Sequence, residues 1–187
     1  MNQEEIETAA QAVHYMLSRM GPSDQLKIIK LVFLADKYHL LHLGRTITRD
    51  DYLAMKRGPV PSMVCNVVYR NEDFLPENAL GIPDKFFILK PNWIIEARGT
   101  SEYDLLSESD KSAIDFVVSK FGHKDHGWLI DYVHTFPEWK KHSAAINGGV
   151  RSVEMDLLDM FSVPNEADLD ITESQAKESH DIYIGRE

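Results

Sequence analysis

Apolar residues recur at Ile6, Ala9, Ala10, Val13, Met16, Leu17 and Met20, the spacing of one helical face, and predict an amphipathic helix over Glu4 to Met20. Gly21 and Pro22 break it; Ser23 is placed to cap the next helix, and Asp24 suits the positive end of that helix dipole. The second helix runs to about Leu43 and stops at Gly44. Leu26, Ile28, Ile29, Leu31, Val32, Phe33, Leu34 and Ala35 make it apolar around most of its circumference, so it should be the buried centre of the fold. Thr46 to Met55 then reads as a short extended segment, closed by a rigid turn at Lys56, Arg57, Gly58, Pro59, Val60 and Pro61.

Ser62 to Tyr69 suits a short helix, and Asn71 to Asp84, with Pro76 and Pro83, reads as loop. Phe86 to Leu89 and Trp93 to Ile95 predict a hairpin around Pro91-Asn92, with its register open because this pair favours the wrong turn type for a two-residue loop. Ser107 and Asp110 form a capping pattern before Ile114, Phe116, Val117, Val118 and Phe121, with Gly122 as the stop. Further helices are expected over Trp128 to His134 and Ser152 to Phe161. The fold class is therefore α+β: a mainly helical single domain with a small antiparallel sheet, Thr46 to Lys56 with Phe86 to Arg98, beside the central helix.

After Pro164 the composition changes. Seven acidic residues face two basic ones over 164–187, so the domain is placed at 1–163, followed by a solvated acidic tail. Its closing Ile182, Tyr183 and Ile184 keep open a tail that docks as a strand on the domain or on a partner.

The whole chain of 187 residues is long enough to bury a core without staples, and its net charge of −10 opposes nonspecific attraction to nucleic acid or anionic membrane. The single cysteine, Cys65, forbids an intrachain disulfide framework, and no export signal or membrane span is visible; a cytoplasmic protein is expected. Cys65 lies among Met63, Val64, Val67 and Val68 and reads as a buried, inert thiol. The pairs His39 with His42 and His123 with His126 have the spacing of metal ligands but lack a third ligand, so no cofactor or metal is assigned. Lys56 and Arg57, with Arg45, Arg49 and Lys37, form the densest basic strip, read as a solvated rim balancing Asp36, Asp50 and Asp51. Lys30 is a lone cation in a helix destined for the core, so it should be a buried polar anchor that snorkels or pairs with a carboxylate such as Asp36.

The run IIKLVFLADKYHLLHLGRTITRDDYLAMKRGPVPSMV resembles the Panacea domain, also described as the SocA-like or GepA-like phage-associated domain. Lys30, Leu31, Phe33, Leu34 and Ala35 match its first helix, Gly44 and Ile47 its turn, and Ala54, Lys56, Gly58, Pro59 and Val60 its last element; Met55 stands where members carry Trp. Downstream, LSESDKSAIDFVVSKFG and WLIDYVHTFPEW are similar to further family elements, with His134 and Trp139 matching and Val133 replacing the usual Thr. The resemblance covers about residues 5 to 160 and implies an antitoxin that neutralises a cognate protein toxin by direct binding, without catalysis. It places partner contact along the corner at Tyr52, Lys56, Arg57, Gly58, Pro59 and Val60, the hairpin and the tail, with a structural reading of Gly58-Pro59-Val60 beside it. Two rivals stand: a phage- or mobile-element-associated adaptor or regulator, including one that hands a toxin to a protease, and a hydrolase or metalloprotein using His39, His42 or His134. Membrane is excluded as a partner and nucleic acid disfavoured; self-association is left open.

Overall fold

A computed structural model describes residues 2–163 and 165–185. Helix α1 (Gln3–Met20) starts at a capping box between Asn2 and Glu5 and buries the predicted stripe. A two-residue strand, β1 (Ser23–Asp24), leads into the central helix α2 (Gln25–Leu43). Asp24, not Ser23, caps α2, its side chain accepting from the Lys27 amide, because the helix starts at Gln25 and Asp24 is the residue just before its first turn. At the far end Gly44 takes a left-handed conformation with φ 70° and closes the helix. Buried residues surround α2 on all sides, as its composition requires: α1, α3 (Ser62–Tyr69), α5 (Glu108–Phe121) and α6 (His126–Val133) all pack on it.

The strands form two separate sheets rather than one. Strand β2 (Tyr52–Met55) pairs antiparallel with β3 (Gly58–Pro61) and, on its other side, with β6 (Ser152–Glu154). Strand β5 (Ile94–Ala97) lies between β1 and β4 (Phe87–Lys90). The expected pairing of the two extended regions with each other therefore does not occur; each edge is met by a nearer partner, β3 or β1. The segment read as a helix over Ser152 to Phe161 begins instead as β6 and continues as a 3-10 turn over Leu157–Phe161, because Asp156 caps Leu158 locally and the ladder to β2 takes the Ser152–Glu154 backbone. The loop of 71–84 holds two 3-10 turns, and the short helix α4 (Ile82–Phe86) takes Phe86, which was expected in a strand.

The hairpin turn also differs. Lys90 pairs with Ile94, so the loop has three residues, Pro91, Asn92 and Trp93, with φ of 61° at Asn92 and 62° at Trp93. Trp93, expected in a strand, stands in the turn with 73% of its surface exposed, and its carbonyl accepts from the Gln25 amide at 2.9 Å.

Two short helices, α7 (Pro137–Lys140) and α8 (Ser143–Asn147), connect α6 to β6. After 164 the chain forms α9 (Glu166–Leu169) and α10 (Glu173–Tyr183), and α10 packs along α2 and the 3-10 turn before it. Leu169, Ile171 and Ala176 enter the core, Glu166, Asp170, Glu173 and Glu178 face outward, and Ser179 O lies where a Cβ on Gly44 would come within 2.9 Å. Ile182 and Tyr183 belong to this helix and its end, not to a docked strand.

Candidate functional site

The corner between β2 and β3 is built by residues that lie far apart in the chain. Met55 pairs with Gly58, which leaves Lys56 and Arg57 as the turn and puts both side chains in solvent. Gly58 has φ 92°, and a Cβ there would sit 2.6 Å from Val133 Cγ2 on α6, so only glycine fits on both counts. The Pro59 carbonyl, next in line, accepts from Lys30 Nζ at 2.6 Å. Trp139 completes the corner: its indole N–H donates to the Met55 carbonyl at 3.0 Å, and its ring stacks on His134 with centroids 3.8 Å apart. The residues that carry the sequence motifs (Lys30, Gly58, Pro59, His134 and Trp139) thus meet in one cluster.

Lys30 is fully buried, and Asp36 does not pair with it. Burial pushes the Lys30 ammonium down to about 7; the Cys65 thiol opposes this slightly and Arg57 adds to it. Burial likewise pushes Cys65 up to about 11, far from a reactive thiolate at neutral pH. Asp36 is occupied elsewhere: it accepts from the Ile47 and Thr48 amides at 2.9 and 3.0 Å and from the Thr48 hydroxyl at 2.6 Å, pinning the chain that leaves α2. Burial raises its carboxyl to about 6, with those donors pulling the other way.

A second buried cation escaped the sequence reading. Lys37, assigned to a solvated rim, is completely enclosed, with Nζ 2.6 Å from Glu138 Oε1 and 2.9 Å from each of the Met160 and Ser162 carbonyls. Glu138 is enclosed as well and accepts from the Ser162 hydroxyl at 2.9 Å. Burial lowers Lys37 and the Glu138 carboxylate counters it. Lys37 stands seven residues after Lys30, two helical turns along the same buried face. The rest of the supposed strip is dispersed, with Arg45 bound to Asp110 at 2.9 Å.

Of the residues expected to meet a partner, Lys56 and Arg57 are exposed, whereas Tyr52, Gly58, Pro59 and Val60 are buried. Tyr52 sits edge-on to Phe33, with centroids 6.0 Å apart. These four shape the corner from inside; what they leave at the surface is a groove.

That groove, with a volume of about 690 Å³, lies between the corner and the chain around Ile146 to Arg151. Leu26, Met55, Val60 and Val150 give it apolar walls, and Lys56, Arg57 and Arg151 stand among them. It continues past Arg57 and Tyr69 into a hollow of about 320 Å³ reaching Trp93 and His126, and from there into one of about 490 Å³ bounded by Leu89, Lys90 and Trp93. The corner and the hairpin are thus two ends of one surface, joined by Tyr69 and Gln25.

Three of the five histidines proposed as ligands are engaged otherwise; His134 is stacked on Trp139 with its Nε2 unpartnered, and His123 is exposed. His39 bonds through Nδ1 to the Arg45 carbonyl at 2.8 Å and through Nε2 to the Ser109 hydroxyl and Asp110 at 3.1 Å. His42 meets the Leu169 carbonyl at 3.1 Å, and His126 lies 3.4 Å from Asp24. Among the described residues no three His, Cys, Asp or Glu gather as a metal set, and no helix is long and apolar enough to cross a membrane.

No curated protein and no solved structure matches this chain. A family model described as "Antitoxin SocA-like, Panacea domain" matches residues 28–140, a narrower span than the sequence motifs had outlined and one that holds most of α2, the corner and the His134–Trp139 stack together. Covering more than half of the sequence, this match shows that the chain belongs to the SocA-like, Panacea-domain antitoxin family.

Proposed function

We propose that the protein is an antitoxin that neutralises a cognate protein toxin by direct, stoichiometric binding in the cytoplasm and catalyses no reaction. The observation that carries this reading, beyond family membership, is the groove beside the corner: a surface hollow with apolar walls and Lys56, Arg57 and Arg151 among them. Binding energy in protein interfaces concentrates in such apolar anchor sites, while charges on the rim select the partner and speed encounter. Lys30 and Trp139 take no direct part. They hold the Met55–Gly58 turn at a fixed height, so that its two cations are presented by a rigid support.

Co-expression tests the reading. The product of the neighbouring reading frame should arrest growth alone; this chain should restore growth and be recovered with that product in a one-to-one complex. Steady toxin levels during rescue mark masking, and falling levels mark delivery to a protease. A harmless neighbour, or arrest that persists despite expression of this chain, contradicts the antitoxin assignment.

A further inference from the structure

The chemistry of the groove narrows what it accepts, granted that a partner binds there. Among the described residues the side chains of Lys56, Arg57 and Arg151 make no ion pair and no hydrogen bond. Lys90, at the far end, is different: Glu96 holds it at 2.8 Å. Among the described residues the only carboxylate lining the three hollows is Asp24, already committed to the Lys27 amide at 3.0 Å and His126 at 3.4 Å. A chain of net charge −10 therefore presents on this one face, among the described residues, three unpaired cations and no free carboxylate. At physiological salt the screening length is about 8 Å, so an occupant in contact with these cations feels them far more than the distant acidic surface.

Two further features are apolar or neutral. Trp93 is held outward at φ 62°, a left-handed conformation unfavourable for a residue with a side chain, and Tyr69, Leu89 and Val150 are also exposed along the same route. Gln25, 3% exposed, lines the two hollows beneath Trp93; its amide N–H donates to the Val68 carbonyl at 3.0 Å, while its Oε1 has no hydrogen-bond partner. An occupant whose N–H reaches that oxygen would satisfy it.

We infer that the groove receives an acidic peptide segment of the partner: its carboxylates meet Lys56, Arg57 and Arg151, its bulky apolar side chains lie against Tyr69, Trp93 and Val150, and a backbone amide reaches Gln25. Aliphatic walls favour a polypeptide over a nucleic-acid strand, although both would be drawn by cations beside aromatic rings.

Fluorescence anisotropy on the full chain at near-physiological salt tests this with three labelled probes. Two are peptides with the same leucine and tryptophan positions, one carrying glutamate between them and the other lysine; the third is oligothymidylate. The glutamate peptide should bind saturably and the other two should not. Arg57→Glu combined with Arg151→Glu, and separately Trp93→Ala, should each weaken it by roughly tenfold or more with an unchanged circular dichroism spectrum. Equal or tighter binding of the lysine peptide or the oligonucleotide, no binding of the glutamate peptide, or indifference to the substitutions overturns the inference. Growth rescue run in parallel separates the two claims: rescue without peptide binding removes the acidic-segment inference alone, and peptide binding without rescue removes the antitoxin reading alone.

Discussion

Lys30 is a costly residue to bury: its ammonium loses water on every side and receives one carbonyl at 2.6 Å in return. Its pKa falls from 10.5 to about 7 in the folded chain, so the unfolded state binds the proton more tightly. The contribution of this group to stability is therefore fully present above pH 10.5 and is lost as pH drops towards 7. Subtracting the stability curve of Lys30→Met from that of the wild type, by chemical denaturation across this range, should give a difference that rises with pH; a flat difference would show that the lysine is solvated. Lys30→Met also leaves the Pro59 carbonyl without its donor, a penalty of about 1–3 kcal/mol that is independent of pH. A lone cation in an apolar helix can be recognised in the sequence; its acceptor cannot, because Pro59 lies 29 positions away and is a backbone oxygen. Lys37 was hidden for a different reason. Flanked by Asp36 and followed by Tyr38 and His39, it looks like a surface position until Glu138 is brought 101 residues back to meet it.

At the scale of elements, the β2–β3 turn is fixed by contacts from helices on either side, and Gly58 is where they converge. Gly58→Ala sets a methyl group 2.6 Å from Val133 Cγ2 and forces alanine to φ 92°, so a loss of about 2–4 kcal/mol is expected in equilibrium unfolding. Adding Val133→Ala removes the clash but not the backbone strain, so recovery should be partial; full recovery would mean that φ costs nothing, and none that the packing account is wrong. Long elements with a stripe and a cap, α1 and α5, are plain in the sequence because the local signals agree with the tertiary outcome. The strands are short, two to four residues, too brief for alternation to establish. Val153, Leu157, Leu158 and Phe161 imitate a helical face although the β2 ladder claims the first of them. Four of the candidate contact residues, Tyr52, Gly58, Pro59 and Val60, turned out to be interior because a motif marks where the chain must pack as readily as where it must bind. Lys56, Arg57 and the hairpin that carries Trp93 were accessible to sequence reasoning; Val150 and Arg151, which line the groove with Lys56 and Arg57, were not, since a separate loop brings them there.

For the whole molecule, charge and packing divide the labour. The acidic C-terminal helices place carboxylates in water while Leu169, Ile171 and Ala176 complete the core over α2. Burying a leucine or isoleucine side chain stabilises by about 1.5–3 kcal/mol each, so truncation after Val163 should lower the thermal midpoint by several degrees and expose apolar surface to a hydrophobic dye. A truncated chain with an unchanged midpoint would return 164–187 to the status of a solvated tail. That acidic mass lies apart from the groove, so net charge describes the molecule poorly where it matters: one face is cationic and apolar on a body of charge −10.

The central claim is that this chain works by occupying another protein's surface through that face. The most direct measurement is growth rescue from the neighbouring gene's product by variants that alter only exposed side chains, Arg57→Glu with Val150→Asp, at matched expression and unchanged thermal midpoint. The account predicts that rescue and co-purification are lost together while the fold persists. Rescue undiminished by these substitutions, with the complex still recovered, would contradict it.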